Sequence, residues 1–575
     1  MNKVSDKNGV QQFLNRAKIH GLKHVVISPG SRNAPLSISF AQDKDYSCYV
    51  IPDERSAGFY ALGMAQQLNE PVALVCTSGS ALLNYYPAIS ESFYRNIPLI
   101  VVSADRPAAW IDQGDGQTIR QEGVFSNHII DEVSLLEITN TPNEQWFNER
   151  NIDRLFNRSK ALNGGPIHFN FPFSEPLYLT NPAKDSTDTQ ITEQLAGKVI
   201  LTDNEITNLI SDWNSLDKKL IICGQLPENK RLEQALIDLT QNKSVAVLVE
   251  NTSNLVYNGF IHCIDRTLNS IGEDFAKQFQ PNLLITIGGA VISKRIKAFL
   301  RKNKPNQHWK IGSQFPFMDT YQSLTKTIPL EPEIFLHELL KNDINTSISR
   351  YGEQWKQLDY LIQNKHFHFF EGVPYSDLSV FHLLMDSIPE NSVLHLANSS
   401  VVRYSQLFDP LKSIDYNCNR GTSGIDGSTS TAMGASIVDS NNLHTFISGD
   451  ISFFYDSNAF WNKHLPSNFR MFIINNGGGG IFKIIPGPDK TEELDDFFVA
   501  KQSYAAANIC KAFDINYKSA KSVEEINEQL DGFYAHQENN RPVVMEIFTP
   551  HQENDKILKS YFKAVKVKPK ILKPD

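Results

Sequence analysis

The stretch Leu443-His444-Thr445-Phe446-Ile447-Ser448-Gly449-Asp450 and its continuation Met471-Phe472-Ile473-Ile474-Asn475-Asn476-Gly477-Gly478-Gly479-Gly480 decide the fold. Each half is an apolar run of strand length that ends on polar or glycine residues, and residues 453–461 between them can form a helix. Strand, helix and strand in that order make a parallel unit. Asp450 and Asn476 then lie at the carboxyl ends of neighbouring strands, where open α/β sheets hold ligands. Asp450 offers a carboxylate oxygen, Asn476 an amide oxygen and the glycine run its backbone carbonyls. Hard oxygens of this kind suit Mg²⁺, which completes its octahedron with phosphate and water. The plain alternative is a strand–helix turn followed by a glycine loop, and Gly-Asp alone does not choose between the two.

Working outward, 575 residues exceed one hydrophobic core, so two to four domains are expected. An apolar content of 41% with 21% charged residues is that of an ordinary soluble globular protein. No run approaches the length of a membrane span, and the amino terminus lacks the apolar core of a signal peptide. Cys48, Cys76, Cys223, Cys263, Cys418 and Cys510 form no CxxC pair, which predicts reduced, buried thiols and a cytoplasmic protein. The net charge of −9 argues against nucleic-acid binding, and it means that an anionic substrate needs a local cluster of arginines. The lysines between Lys556 and Lys573 read as a solvated tail.

Before the deciding stretch the chain alternates strand and helix patterns twice more. Strands are predicted at 24–27, 48–51, 72–75 and 98–102, with amphipathic helices between them. A Thr-, Asp-, Ser-, Asn- and Pro-rich segment, 180–190, reads as a linker. A second set of strands is predicted near 220–223, 244–247 and 283–287. Its Gly288-Gly289-Ala290 turn is not GxGxxG, and a bound dinucleotide is not expected. Polar residues 341–349 mark the next boundary. The expected architecture is α/β, with three doubly wound parallel-sheet domains spanning 1–180, 191–345 and 360–575.

The separation of Asp450 from Asn476 resembles the diphosphate-and-metal signature of thiamine-diphosphate enzymes. That cofactor requires one carboxyl group against its aminopyrimidine ring, and Pro52-Asp53-Glu54-Arg55-Ser56 supplies a candidate where a strand gives way to a helix. A carboxylate there gains ~0.3–1 kcal/mol from the helix dipole alone, so position does not by itself assign the role.

Five further motifs sharpen the resemblance. They are Ile27-Ser28-Pro29-Gly30-Ser31-Arg32-Asn33-Ala34-Pro35-Leu36, Asp53-Glu54-Arg55-Ser56-Ala57-Gly58, Ser103-Ala104-Asp105-Arg106-Pro107, Asn398-Ser399-Ser400-Val401-Val402-Arg403 and Asn419-Arg420-Gly421-Thr422-Ser423-Gly424-Ile425-Asp426-Gly427. Together they are similar to the MenD family, the 2-succinyl-5-enolpyruvyl-6-hydroxy-3-cyclohexene-1-carboxylate synthases of menaquinone biosynthesis. The resemblance covers nearly the whole chain and is weakest in the middle, apart from Ser293-Lys294-Arg295. It implies the thiamine-diphosphate-binding fold of pyrimidine-binding, central and diphosphate-binding domains. The implied cofactors are thiamine diphosphate and Mg²⁺, with Mn²⁺ as its substitute. The implied reaction decarboxylates 2-oxoglutarate and adds the succinyl carbanion to isochorismate, in a homodimer or homotetramer with active sites between subunits.

Residue by residue, the resemblance makes Glu54 the catalytic carboxyl and Asp450, Asn476 and Gly478 the metal ligands. Gly424, Ile425, Gly449, Ile451, Ser452, Ile481 and Phe482 become further cofactor contacts, with Ile425 as an apolar wedge beneath the cofactor. Ser399, Arg403 and Arg420 match the site of the 2-oxoglutarate-derived unit. Ser31, Arg32, Arg106, Gln117, Lys294 and Arg295 match positions facing isochorismate. Both substrates carry two carboxylates, which guanidinium groups bind with fixed orientation. Gly116 stands where family members often carry Asn. No histidine is required, and His24, His128 and His168 are read as structural. The alternatives are another 2-oxoacid carboligase, acetolactate-synthase-like, and a non-catalytic sensor of thiamine diphosphate.

Overall fold

A computed structural model describes residues 3–183, 190–195, 197, 199–342, 344, 349–485, 487–537 and 539–567. Three parallel sheets follow one another along the chain, of six, five and six strands.

The first sheet runs Ser47–Val50, His24–Ile27, Val72–Cys76, Leu99–Asp105, Ile167–Pro172 and Asp131–Ser134 across its width. Val72–Cys76 and Leu99–Asp105 are buried along their whole length, as expected of central parallel strands covered on both faces. Ala73 and Val75 face a core with Phe13, Phe40 and Phe156, whereas Leu74 and Cys76 face the Glu54–Leu68 helix. At the sheet's margin Lys3–Ser5 pairs antiparallel with Thr180–Pro182. The start of the expected linker is thus a strand, and 184–189 of that segment lie outside the described residues.

The second sheet is Val245–Val249, Lys219–Cys223, Leu283–Ile287, Gln307–Ile311 and Lys326–Ile328. The third is Ile414–Asn417, Ser392–Leu396, His444–Gly449, Phe469–Asn475, Val543–Phe548 and Asn516–Ala520. His444–Gly449 and Phe469–Asn475 are hydrogen-bonded neighbours with Gly449 opposite Ile474, so Asp450 and Asn476 emerge side by side. The intervening helix starts at Asp450 itself and ends at Tyr455, with a short 3₁₀ turn at Ser457–Phe460 in place of the single helix expected over 453–461.

The Glu54–Leu68 helix crosses the Ser428–Val438 helix backbone to backbone. A Cβ on Gly63 would sit 1.9 Å from Thr431 O, and one on Gly434 would sit 2.1 Å from Tyr60 O. This contact joins the helix that begins at Glu54 to the one that follows the Gly424-Ile425 loop.

The lysine-rich terminus is not a solvated tail throughout. Asn554–Ala564 is a helix that buries Ile557, Leu558 and Tyr561, and residues 568–575 lie outside the described residues. All six cysteines are free, five of them buried and Cys48 half-buried. Among the described residues no helix is long and apolar enough to cross a membrane.

Candidate cofactor and substrate site

Asp450 is 2% exposed at the start of its helix. Its Oδ2 accepts from Gln502 Nε2 (2.6 Å) and its Oδ1 from Ile451 N (2.8 Å). Burial pushes its carboxyl up to about 6, against the Gln502, Ile451 and Gly478 donors. A buried carboxylate that resists ionising in isolation is poised for a cation.

Beside it, Asn476 Nδ2 donates to Asp377 Oδ2 (2.8 Å), while Asn476 Oδ1 is buried with no hydrogen-bond partner. His551 accepts from Lys483 Nζ on Nε2 (2.9 Å) and donates from Nδ1 to Asn476 O (2.7 Å), which fixes the backbone as well. Gly477 and Gly478 take φ of 77° and 142°, which only glycine tolerates readily, and a Cβ on Gly478 would lie 2.7 Å from Val499 O. An orphaned amide oxygen, a carboxylate and a glycine-rich turn make an oxygen-only donor set. No group of three or more His, Cys, Asp or Glu side chains that could hold a metal occurs among the described residues. The donor set fits a hard divalent ion that takes its other ligands from phosphate, and it does not fit zinc.

Around this end, Ser452 Oγ donates to Ile425 O (3.0 Å) and Asn398 Nδ2 to both Asn419 O and Gly424 O (2.7 Å each). Glu91 accepts from Gly421 N (2.8 Å) and Thr422 N (2.6 Å), so the first sheet's helix anchors the loop that carries Gly424 and Ile425. Ile425, Ile451, Ile481 and Phe482 are half-buried, as is Gly449.

Glu54 is the first residue of its helix. Asp53 caps that helix through Ser56 N (3.1 Å) and takes Asn458 Nδ2 on its other oxygen (2.6 Å). Arg55 lies 3.6 Å from Asp456 and over the Tyr455 ring. Both neighbours of Glu54 are thus tied to the segment that follows Asp450. Glu54 itself is half-buried, with its carboxyl raised by burial, and no other residue hydrogen-bonds its side chain among those described. Burial raises the Cys76 thiol and the Tyr85 hydroxyl, and the Glu54 charge adds to both shifts.

The predicted cations fall into two groups. Arg32 is buried, donating to Phe173 O (3.0 Å) and pairing with Glu175 (3.1 Å), with Ser31 exposed next to it. Arg106 pairs with Asp115 (3.2 Å) and donates to Gly116 O (2.9 Å), while Gln117 is exposed with φ of 55°. A Cβ on Gly116 would meet nothing within 4 Å, so the backbone at this position serves Arg106 and leaves the side-chain space open. Beneath this loop Gln121 Nε2 donates to Ala104 O (3.1 Å) and Asn170 Oδ1 (2.9 Å), and His168 bonds Ser103 Oγ (2.7 Å). The three histidines read as structural have structural partners: His168 this network, His24 Tyr49 and His128 Tyr86.

In the second group Arg403 donates to Ile292 O (3.4 Å) and Arg420 to Asn398 Oδ1 (2.7 Å). Ser399, with φ of 75°, opens the short helix that carries Arg403. Lys294 is exposed. Arg295 lies with its guanidinium 4.3 Å from the Phe562 ring centroid and bonds Asn269 (3.3 Å). Asp377, Gln502, Glu250 and Lys297 were not foreseen. Each reaches the site from a distant element, and only a folded chain brings them in.

Comparison with known proteins agrees with this layout. Residues 7–129 match the family described as thiamine pyrophosphate enzyme, N-terminal TPP binding domain, and 196–396 match the middle domain of thiamine pyrophosphate enzymes. The solved benzoylformate decarboxylase of Polynucleobacter necessarius superposes with a TM-score of 0.70 over 95% of this chain and 99% of its own, at 13% identity, a likeness of fold. The 2-succinyl-5-enolpyruvyl-6-hydroxy-3-cyclohexene-1-carboxylate synthase of Flavobacterium johnsoniae is 44% identical over 96% of this chain and 98% of its own. That of Porphyromonas gingivalis is 39% identical over 97% of each. With identity at this level along almost the full length, the chain belongs to the 2-succinyl-5-enolpyruvyl-6-hydroxy-3-cyclohexene-1-carboxylate synthase family of thiamine-diphosphate enzymes.

Proposed function

We propose that the chain decarboxylates 2-oxoglutarate and joins the succinyl unit to isochorismate, giving 2-succinyl-5-enolpyruvyl-6-hydroxy-3-cyclohexene-1-carboxylate for menaquinone biosynthesis. The observation that carries the site assignment is the buried, unpartnered Asn476 Oδ1 beside Asp450. Thiamine diphosphate, when bound, supplies the electron sink that stabilises the carbanion.

In this reading Asp450, Asn476 Oδ1 and the Gly478 carbonyl hold Mg²⁺ or Mn²⁺. Gly424, Ile425, Gly449, Ile451, Ser452, Ile481 and Phe482 surround the cofactor. Glu54, whose half-buried carboxyl is raised by desolvation, holds a proton against the aminopyrimidine nitrogen. Arg403, Arg420 and Ser399 bind the 2-oxoglutarate side, and Ser31, Arg32, Arg106, Gln117, Lys294 and Arg295 the isochorismate side. Guanidinium groups both neutralise and orient such dicarboxylates.

The same reading takes 1–180, 191–345 and 360–575 as pyrimidine-binding, central and diphosphate-binding domains of a cytoplasmic enzyme. It pairs subunits as a homodimer or homotetramer with active sites between them.

The test is incubation with Mg²⁺, thiamine diphosphate, 2-oxoglutarate and isochorismate, scoring carbon dioxide and the adduct by mass. Adduct formation dependent on both substrates is expected. Consumption of pyruvate without isochorismate, or no turnover despite cofactor binding, would overturn the reading.

A further inference from the structure

Between the second and third sheets, Glu250, Ile264, Asp265, Ile292 and Ser293 face Arg403 and Gln406 across a narrow cleft, part of it open to solvent. Ser293 caps the Lys294–Lys302 helix through Ile296 N (3.1 Å). Lys297 stands one helical turn beyond Ser293 and so lies on the same face. Its half-buried ammonium feels Glu250, Arg420, Arg403 and Arg301. By contrast Lys294 is exposed, and Arg295 is taken up by Phe562 and Asn269.

The charges at this corner do not balance. Glu250 is 2% exposed, and its oxygens already accept from Ile292 N (2.9 and 2.7 Å) and Ser293 N (2.8 Å). Asp265 Oδ1 accepts from Ser293 Oγ. Among the described residues Lys297, Arg403 and Arg420 form no salt bridge with any acid. Arg420 Nε, Gln406 Nε2 and the Tyr321 hydroxyl are buried without a partner. Tyr321 lies within the field of Glu250 and Arg301. Partly desolvated cations and unpaired donors that converge without a direct ion-pair partner are costly unless a ligand completes them.

We propose that Lys297 is a third cation of the Arg403–Arg420 site and grips the distal carboxylate of 2-oxoglutarate, the one the reaction leaves intact. This rests on the function proposed above and adds to it a residue that selects dicarboxylate over monocarboxylate 2-oxo acids. Above about pH 7, where it is ionised, Glu250 is then the buried counter-charge that keeps the cations together while the substrate is absent.

The experiment compares wild type with Lys297→Met, Lys297→Gln and Lys297→Arg as holoenzymes, using 2-oxoglutarate and its chain-length analogue 2-oxovalerate. One charge-assisted hydrogen bond lost corresponds to roughly a tenfold change or more. The neutral variants are expected to raise KM for 2-oxoglutarate by that factor with kcat little changed. They should lose the preference over 2-oxovalerate by the same factor, keep KM for isochorismate, and recover in Lys297→Arg. The second neutral variant guards against misfolding of the first. An unchanged KM for 2-oxoglutarate, an equal loss on 2-oxovalerate, or a shift confined to isochorismate would overturn the assignment. Wild type inert towards 2-oxoglutarate would remove the parent function as well. Strong impairment in Arg403→Met beside unimpaired Lys297→Met would remove this inference alone.

Discussion

Asn476 Nδ2 donates to Asp377 Oδ2 at 2.8 Å, and this bond leaves the amide oxygen, not the nitrogen, as the group without a hydrogen-bond partner. Asp377 is itself held by Thr549 Oγ1 (2.6 Å), so the orientation is set from a third element of the chain. Groups that orient a metal ligand typically matter 10–100-fold in metal affinity. Asp377→Ala should therefore raise the Mg²⁺ needed for half-maximal thiamine-diphosphate binding by about 10- to 100-fold. Titration of cofactor binding against Mg²⁺ checks this, and an unchanged midpoint would show that the bond does not set the amide.

Glu54→Gln keeps the shape of the side chain and removes its proton exchange. Loss of a positioned acid–base group costs about a hundred- to ten-thousandfold in rate. Turnover should fall within that range while calorimetric binding of thiamine diphosphate with Mg²⁺ stays close to wild type. Wild-type-like kcat would refute the role given to Glu54.

Stability should carry a pH dependence from Glu250. Burial lifts its carboxyl from 4.5 to about 7, against the pull of the Ile292 and Ser293 donors. Between those values the folded chain holds a proton that the unfolded chain has lost, so stability declines as pH rises through the window. The difference corresponds to roughly 3 kcal/mol at most. Glu250→Gln should flatten the curve of unfolding free energy over about pH 4.5–7, which denaturant titrations at several pH values measure. A wild-type slope retained in the variant would assign the effect to other groups.

Gly63→Ala should be severely destabilising, because the new methyl would sit 1.9 Å from Thr431 O and two helices would have to separate. Overpacking of this kind costs about 1–3 kcal/mol. Gly116→Ala, with nothing within 4 Å of its Cβ, serves as the comparison that should leave the unfolding midpoint unmoved. Equal stability of both variants with wild type would mean the crossing relaxes freely.

The strand–helix–strand unit around Asp450 and Asn476 was legible because buried parallel strands are continuous apolar runs whose ends are easy to see. The parallel sheets wrapped by helices were legible on the same local grounds. The support of the site was not. Asp377, Gln502, His551 and Lys297 act on groups far away in sequence, and nothing in their own neighbourhoods announces that. The carboxy-terminal helix was hidden differently. Its buried positions Ile557, Leu558 and Tyr561 are interleaved with lysines, and charge density outweighed a short helical periodicity. Arg295 has a neighbour that its motif does not announce. Its guanidinium rests on Phe562, a residue of the carboxy-terminal helix far away in sequence.

The pairing of Lys3–Ser5 with Thr180–Pro182 brings the first and last residues of the amino-terminal sheet unit side by side. Ends that meet leave only one short gap to bridge, while the Glu54–Leu68 helix keeps its partner in the Ser428–Val438 helix. Fusing the ends and opening the chain elsewhere, at an exposed turn such as 112–114, should preserve its interior.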